Sequence, residues 1–177
     1  MKLVSYIYDS KQSFGHYVDS NTIIDIASKL NFTNILDVVS NNQQIVTDYI
    51  KSKDALVLNN SDVKILPPIY PRSLRDAYAF RQHVETSRKN RGLDMIEEFD
   101  DFPVYYYSNA DAIMGPGDVR INSLFMNKLD FELEVAILIG KEGINISCSE
   151  ADNYIAGFMI MNDFSARDLQ MAEMKLN

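Results

Sequence analysis

With 177 residues, 46% of them hydrophobic and 24% charged, the chain has enough apolar material for a packed core and for one or two domains, which excludes global disorder. A net charge of −8 excludes a nucleic-acid partner, which requires clustered Lys and Arg, but leaves room for a small anionic substrate because a bound metal reverses the local field. One cysteine rules out an internal disulfide, and no stretch approaches the roughly 20 apolar residues that span a bilayer, so a cytoplasmic chain without a membrane partner is expected.

Residues 1–66 are expected to form a small α+β domain. MKLVSYIY alternates as a strand, and HYVDSNTIIDIASKL reads as strand, turn and short helix. NILDVVSNNQQIVTDYIKSKD has apolar residues near helical spacing, interrupted by the polar SNNQQ, and Pro67–Pro68 mark a boundary. His16 lies in this region and carries no assigned role.

Residues 67–177 are expected to form a second domain, mostly β. PRSLRDAYAFRQHVETSRKNRG reads as one helix, with Ser73 as its N-cap and Gly92 just past its end. EEFDDFP reads as a solvated acidic loop or helix end, and GPGD as a turn. Phe131–Gly140 and Tyr154–Asn162 read as strands, and a short helix opens at Ser165 with Asp168 at the capping-box position. Cys148, with no His or basic neighbour in NISCSEAD, is expected to be a small packing residue. The eight methionines are expected to fill core gaps, and at least one of Tyr105, Tyr106 and Tyr107 should be core.

Four acids carry the chemistry. Residues two apart on a strand share a face, so Glu132 and Glu134 point the same way, with Ala136 and Leu138 continuing that face. Phe131, Leu133, Val135, Ile137 and Ile139 line the other face. E-x-E alone describes an exposed strand end with two solvated acids. Next to Asp163, which closes the apolar strand GFMIMN, it points instead to a cation, because uncompensated charges in apolar runs are costly. Asp76 is either a fourth ligand or the acid of a Ser73-x-x-Asp76 capping box. On a continuous helix His83 would return to the Asp76 face about 10 Å further along, where it could serve as a base or make a local surface hydrogen bond. Arg167 and Gln170 share a helix face and could hold a substrate carboxylate or carbonyl, or face solvent. An all-oxygen ligand set favours Mg²⁺, with Mn²⁺ or Ca²⁺ as substitutes.

In order and approximate spacing, RSLRDAYAFRQH, FPVYYYSNADAIMGPGD, LDFELEVAILIG and YIAGFMIMNDFSARDLQ resemble the fumarylacetoacetate hydrolase family, and residues 1–66 resemble the small leading domain of some bacterial and archaeal members. The resemblance implies a fold that is α+β and mostly β, in which the small N-terminal domain precedes the first half of a fumarylacetoacetate-hydrolase-type β-roll. It also implies a homodimer and a divalent cation held by Asp76, Glu132, Glu134 and Asp163. His83 matches the histidine that activates water, and Tyr78, Tyr106, Arg167 and Gln170 fall where substrate contacts occur. Phe164 stands where the family motif often has Trp. Thr86 stands where one branch has a glutamate partner for the histidine, with Glu85 one residue early. The family's catalytic lysine and glycine–threonine loop have no counterpart after QMAEMKLN, so the chain is expected to be a fragment, unstable or poorly soluble alone. The implied reaction is carbon–carbon hydrolysis of an acylpyruvate or other diketo acid through an enolate stabilised by the cation. Dehydration, isomerisation or decarboxylation of a 2-oxo acid, or a non-catalytic metal-binding fragment, are the alternatives.

Overall fold

The computed structural model describes residues 1–122 and 126–176. In chain order the elements are β1 (Leu3–Tyr8), β2 (Lys11–Tyr17), β3 (Thr22–Asp25), α1 (Ala27–Leu30), α2 (Ile35–Asn41), α3 (Gln43–Ile50), β4 (Leu56–Asn59), β5 (Lys64–Ile65), β6 (Leu74–Ala77), α4 (Arg81–Asn90), β7 (Tyr105–Ser108), β8 (Leu129–Ile139), β9 (Ile155–Ala166) and α5 (Arg167–Glu173). This is a mixed α+β chain, richer in strand than in helix. Two compact units are present: residues 1–68 with 115–177, and residues 69–114.

β1 to β5 form one antiparallel sheet in the order β4-β3-β2-β1-β5. Asp9 and Ser10 join β1 to β2, both at positive φ (47° and 62°), the geometry of a two-residue hairpin turn that follows the strand twist. Val4, Tyr6, Ile23 and Leu58 pack into one cluster, and α2 and α3 add Ile35, Val38 and Val46 to the buried set. Asn34 and Asp37 close the start of α2 with a reciprocal capping box. Among the described residues, every buried apolar side chain except Pro67 belongs to positions 4–58.

That core contains an aspartate. Asp25 is 3% exposed and accepts hydrogen bonds from the Tyr6 hydroxyl, the Ser13 hydroxyl (2.7 Å), the Ser28 amide (3.0 Å) and the Ser28 hydroxyl. A buried carboxylate this well bonded is tolerable where a bare one is not. Burial, then the bond to Asp25, pushes the Tyr6 hydroxyl above the usual tyrosine range.

Several expectations for the rest of the chain need correction. Residues 71–92 are not one helix. Leu74–Ala77 is β6, paired antiparallel with β7 from Leu74↔Ser108 to Ala77↔Tyr105, and the helix spans only Arg81–Asn90. Ser73 is therefore not an N-cap, Asp76 sits on a strand, and no common helix carries Asp76 and His83. The Leu74–Asp76–Tyr78 alternation is the period-two signal that pairing with a tyrosine strand selected. Gly92 does follow the helix end, with φ of 73°. Ser165 still belongs to β9 and the last helix begins at Arg167. Asp168 makes no capping box; its carboxylate accepts from the amide (2.9 Å) and side chain (3.2 Å) of Asn127. Tyr105, Tyr106, Tyr107 and Cys148 are all exposed, and none of the methionines is buried.

β8 and β9 form an antiparallel hairpin pair in register from Leu129↔Ala166 to Ile139↔Ile155, with an irregularity at Leu138/Ile139. Glu132, Glu134, Ala136 and Leu138 lie on the half-buried face, opposite the exposed row of Phe131, Leu133, Val135, Ile137 and Ile139. The two faces expected from the alternation are the two faces observed.

Candidate metal centre

Within β8–β9, Glu132 stands directly opposite Asp163, and Glu134 opposite Met161. Directly paired residues share a face, so Glu132, Glu134 and Asp163 project from one side of the hairpin. Glu134 and Asp163 are diagonal neighbours, and each offers a carboxylate oxygen within 4.8 Å of the other's. Oxygens that share one hard cation, each about 2.1–2.6 Å from it, lie within a few Å of one another, so this pair is close enough to hold a single ion. Both acids are half-buried, and the donors are all oxygen, the chemistry that suits Mg²⁺, Mn²⁺ or Ca²⁺.

Arg167 frames the open end of that face. Its amide donates to the Lys128 carbonyl (2.9 Å), extending the ladder one step past β9, while Asp168 ties down Asn127. Its guanidinium meets Glu132 at 2.7 Å through Nη1 and Asp130 at 3.0 Å through Nε, and Nη1 also donates to Gln170 at 3.1 Å. Bonding to Glu132 and then Asp130 raises the Arg167 pKa against an opposing desolvation. The Phe131 amide, then Arg167, holds Asp130 below the usual carboxylate range. Sequence reading singled out Arg167, Gln170 and Glu132 but passed over Asp130. The signal was there: Asp130 lies two residues before Glu132 in D-x-E-x-E and so falls on the same strand face.

In the unit of residues 69–114, Asp76 is half-buried and lies directly across from Tyr106, whose hydroxyl donates to its Oδ2 at 2.6 Å. Tyr78 shares that side and its ring tilts against Tyr106 at 6.3 Å. Arg75 and Tyr107 occupy the other side, with the guanidinium 4.8 Å from the Tyr107 ring centre. Three residues singled out from sequence, Asp76, Tyr78 and Tyr106, thus meet on one face. His83 is exposed on the first turn of α4, and the Thr86 hydroxyl donates to the Gln82 carbonyl (2.8 Å) within the same helix.

The family model of the fumarylacetoacetate (FAA) hydrolase C-terminal domain matches residues 72–177, more than half of the chain. The chain belongs to the fumarylacetoacetate hydrolase family. Among curated relatives, the oxaloacetate tautomerase YisK of Bacillus subtilis is 31% identical over 113 residues, 62% of this chain and 36% of that protein. The mitochondrial oxaloacetate tautomerase FAHD2A of Homo sapiens is 38% identical over 69 residues, 39% of this chain and 22% of that protein. Among solved structures, the fumarylacetoacetate hydrolase from psychrophilic Exiguobacterium antarcticum superposes with a TM-score of 0.68 at 23% identity, over 98% of this chain and 59% of that one. The fold is therefore that of the fumarylacetoacetate hydrolase family, and this member spans well under two thirds of the length of the relatives it matches. No helix among its described residues is long and apolar enough to cross a membrane.

Proposed function

We propose that this family member serves a divalent-cation-dependent reaction in which a small 2-oxo or diketo acid passes through an enolate. The observation that carries the reading is the pair of half-buried carboxylates, Glu134 and Asp163, set diagonally on one hairpin face beside an arginine-bonded Glu132. Asp76 is the fourth acid of the proposed ligand set. A bound Mg²⁺, Mn²⁺ or Ca²⁺ supplies Lewis acidity that polarises the 2-oxo carbonyl and lowers the cost of negative charge on the adjacent oxygen. Arg167 and Gln170, joined at 3.1 Å, would orient the substrate carboxylate through the Arg167 Nη2 and the Gln170 side-chain N–H groups, since Nε and Nη1 are engaged by Asp130, Glu132 and Gln170. Tyr78 and Tyr106 would present hydroxyls to the polar end of the substrate.

The first specific reading is tautomerisation of an oxaloacetate-like acid, supported by the names of the two curated relatives. It requires a group or groups that move one proton between the carbon beside the carbonyl and the enol oxygen. The second is carbon–carbon hydrolysis of an acylpyruvate, supported by His83, which matches the family's water-activating histidine and stands exposed on α4. A homodimer is part of this proposal. Two assays separate the readings. Enol oxaloacetate losing its ultraviolet absorbance faster than in buffer, with no carbon fragment released, supports tautomerisation. Mg²⁺-dependent conversion of acetylpyruvate to pyruvate and acetate supports hydrolysis, and His83→Ala should then lower the rate by roughly 10²–10⁴-fold. Neither activity in a cation-loaded, folded protein refutes both.

A further inference from the structure

We infer that Asp130 is a positioning residue that sets the Glu132 carboxylate through Arg167. This rests on the reading of Glu132, Glu134 and Asp163 as cation ligands, and it adds a group outside that set. Asp130 accepts the Arg167 Nε–H at 3.0 Å, and the same guanidinium donates through Nη1 to Glu132 Oε1 at 2.7 Å. Two contacts on different nitrogens of a planar group fix its tilt, which one contact cannot do. Asp130 and Glu132 are two apart on β8 and share a face, and the Arg167 amide is anchored to the Lys128 carbonyl at 2.9 Å. The short Asp130–Arg167–Glu132 chain is therefore braced at both ends by the β8–β9 ladder. A carboxylate has two oxygens, so with Oε1 held by Arg167 the other oxygen has a defined direction in which to ligate. Outer groups that orient a ligand typically change metal affinity by about 10- to 100-fold when removed. Gln170, on α5, accepts a further hydrogen bond from Nη1 at 3.1 Å.

The test is a double-mutant cycle on the full 177-residue chain, reading Mg²⁺ affinity by calorimetry. Asp130→Asn should weaken Mg²⁺ binding about tenfold in the wild-type background and change it little in an Arg167→Gln background, because the effect passes through Arg167. A through-space effect of the lost charge would produce equal losses in both backgrounds, and equal losses overturn the inference. No loss in either background overturns it too. In parallel, the Arg167 side-chain Nε–H signal of ¹⁵N-arginine-labelled protein should exchange slowly with solvent in the wild type and quickly in Asp130→Asn. Unchanged exchange contradicts the contact. Glu134→Gln keeps the underlying reading separate: if it leaves Mg²⁺ affinity intact, or if the wild type binds no Mg²⁺, the cation site itself fails, and the inference fails with it.

Discussion

Glu134 and Asp163 differ from Glu132 in what surrounds them. Glu132 shares its charge with Arg167, whereas the diagonal pair presents two oxygens close enough for one ion. Asp163→Asn keeps the volume and removes the charge, so Mg²⁺ affinity measured by calorimetry should fall at least about tenfold while the far-ultraviolet dichroism stays the same. The buried Tyr6–Asp25 bond makes a separate prediction. A tyrosine whose pKa is raised by folding binds its proton longer in the folded state than in the unfolded one. Its stabilisation is therefore complete below the ordinary value of about 10 and is lost as pH rises beyond it, by up to ~1.4 kcal/mol per pH unit. Denaturant midpoints should decline above about pH 10, and Tyr6→Phe, although less stable at neutral pH, should show a flatter alkaline limb. The E-x-E pair and Asp163 were legible as candidate ligands because strand period alone sets their direction. Asp25 was not, since its burial follows from pairing with Gly15 across β2–β3 and from Ser28 on the next helix.

At the level of elements, β2 packs tightly on β3 at Gly15. A Cβ there would collide with the Ile24 carbonyl oxygen and stand 2.9 Å from Ile23 Cγ2, with backbone on one side and core on the other. Gly15→Ala should therefore cost roughly 1–3 kcal/mol, read as a lower denaturant midpoint, even though alanine is ordinarily the better residue outside turns. The first strand, the broken helix pair α2–α3 and the β8–β9 faces could all be read from the sequence, because in each the apolar period agrees with the final structure. Residues 74–77 misled because a short polar segment followed by a real helix carries both signals, and only pairing with Tyr105–Ser108 decides between them. The same pairing answers the capping-box question at Asp76, which local sequence left open. Asp168 misled for a similar reason: its partner is Asn127, 41 positions away.

Across the whole molecule, burial is uneven. The described core belongs to residues 4–58, while the outer face of β8–β9 exposes Leu133 (72%) and Ile160 (78%) among Phe131, Val135, Ile137 and Phe158. Contiguous apolar surface of this kind attracts other apolar surface. The purified chain should bind a hydrophobic dye such as ANS and self-associate as concentration rises. A Leu133→Lys, Ile160→Lys double variant should reduce both in fluorescence titration and sedimentation; a monodisperse wild type that binds no dye would contradict this. The central claim concerns the opposite face of the same hairpin and has a direct measurement. Crystals soaked in Mn²⁺ should show one anomalous peak per chain within coordination distance, roughly 2.0–2.6 Å, of oxygens from Glu134 and Asp163, and the peak should vanish in Glu134→Gln. A Mn²⁺ peak elsewhere, or none at saturating Mn²⁺, would contradict the account.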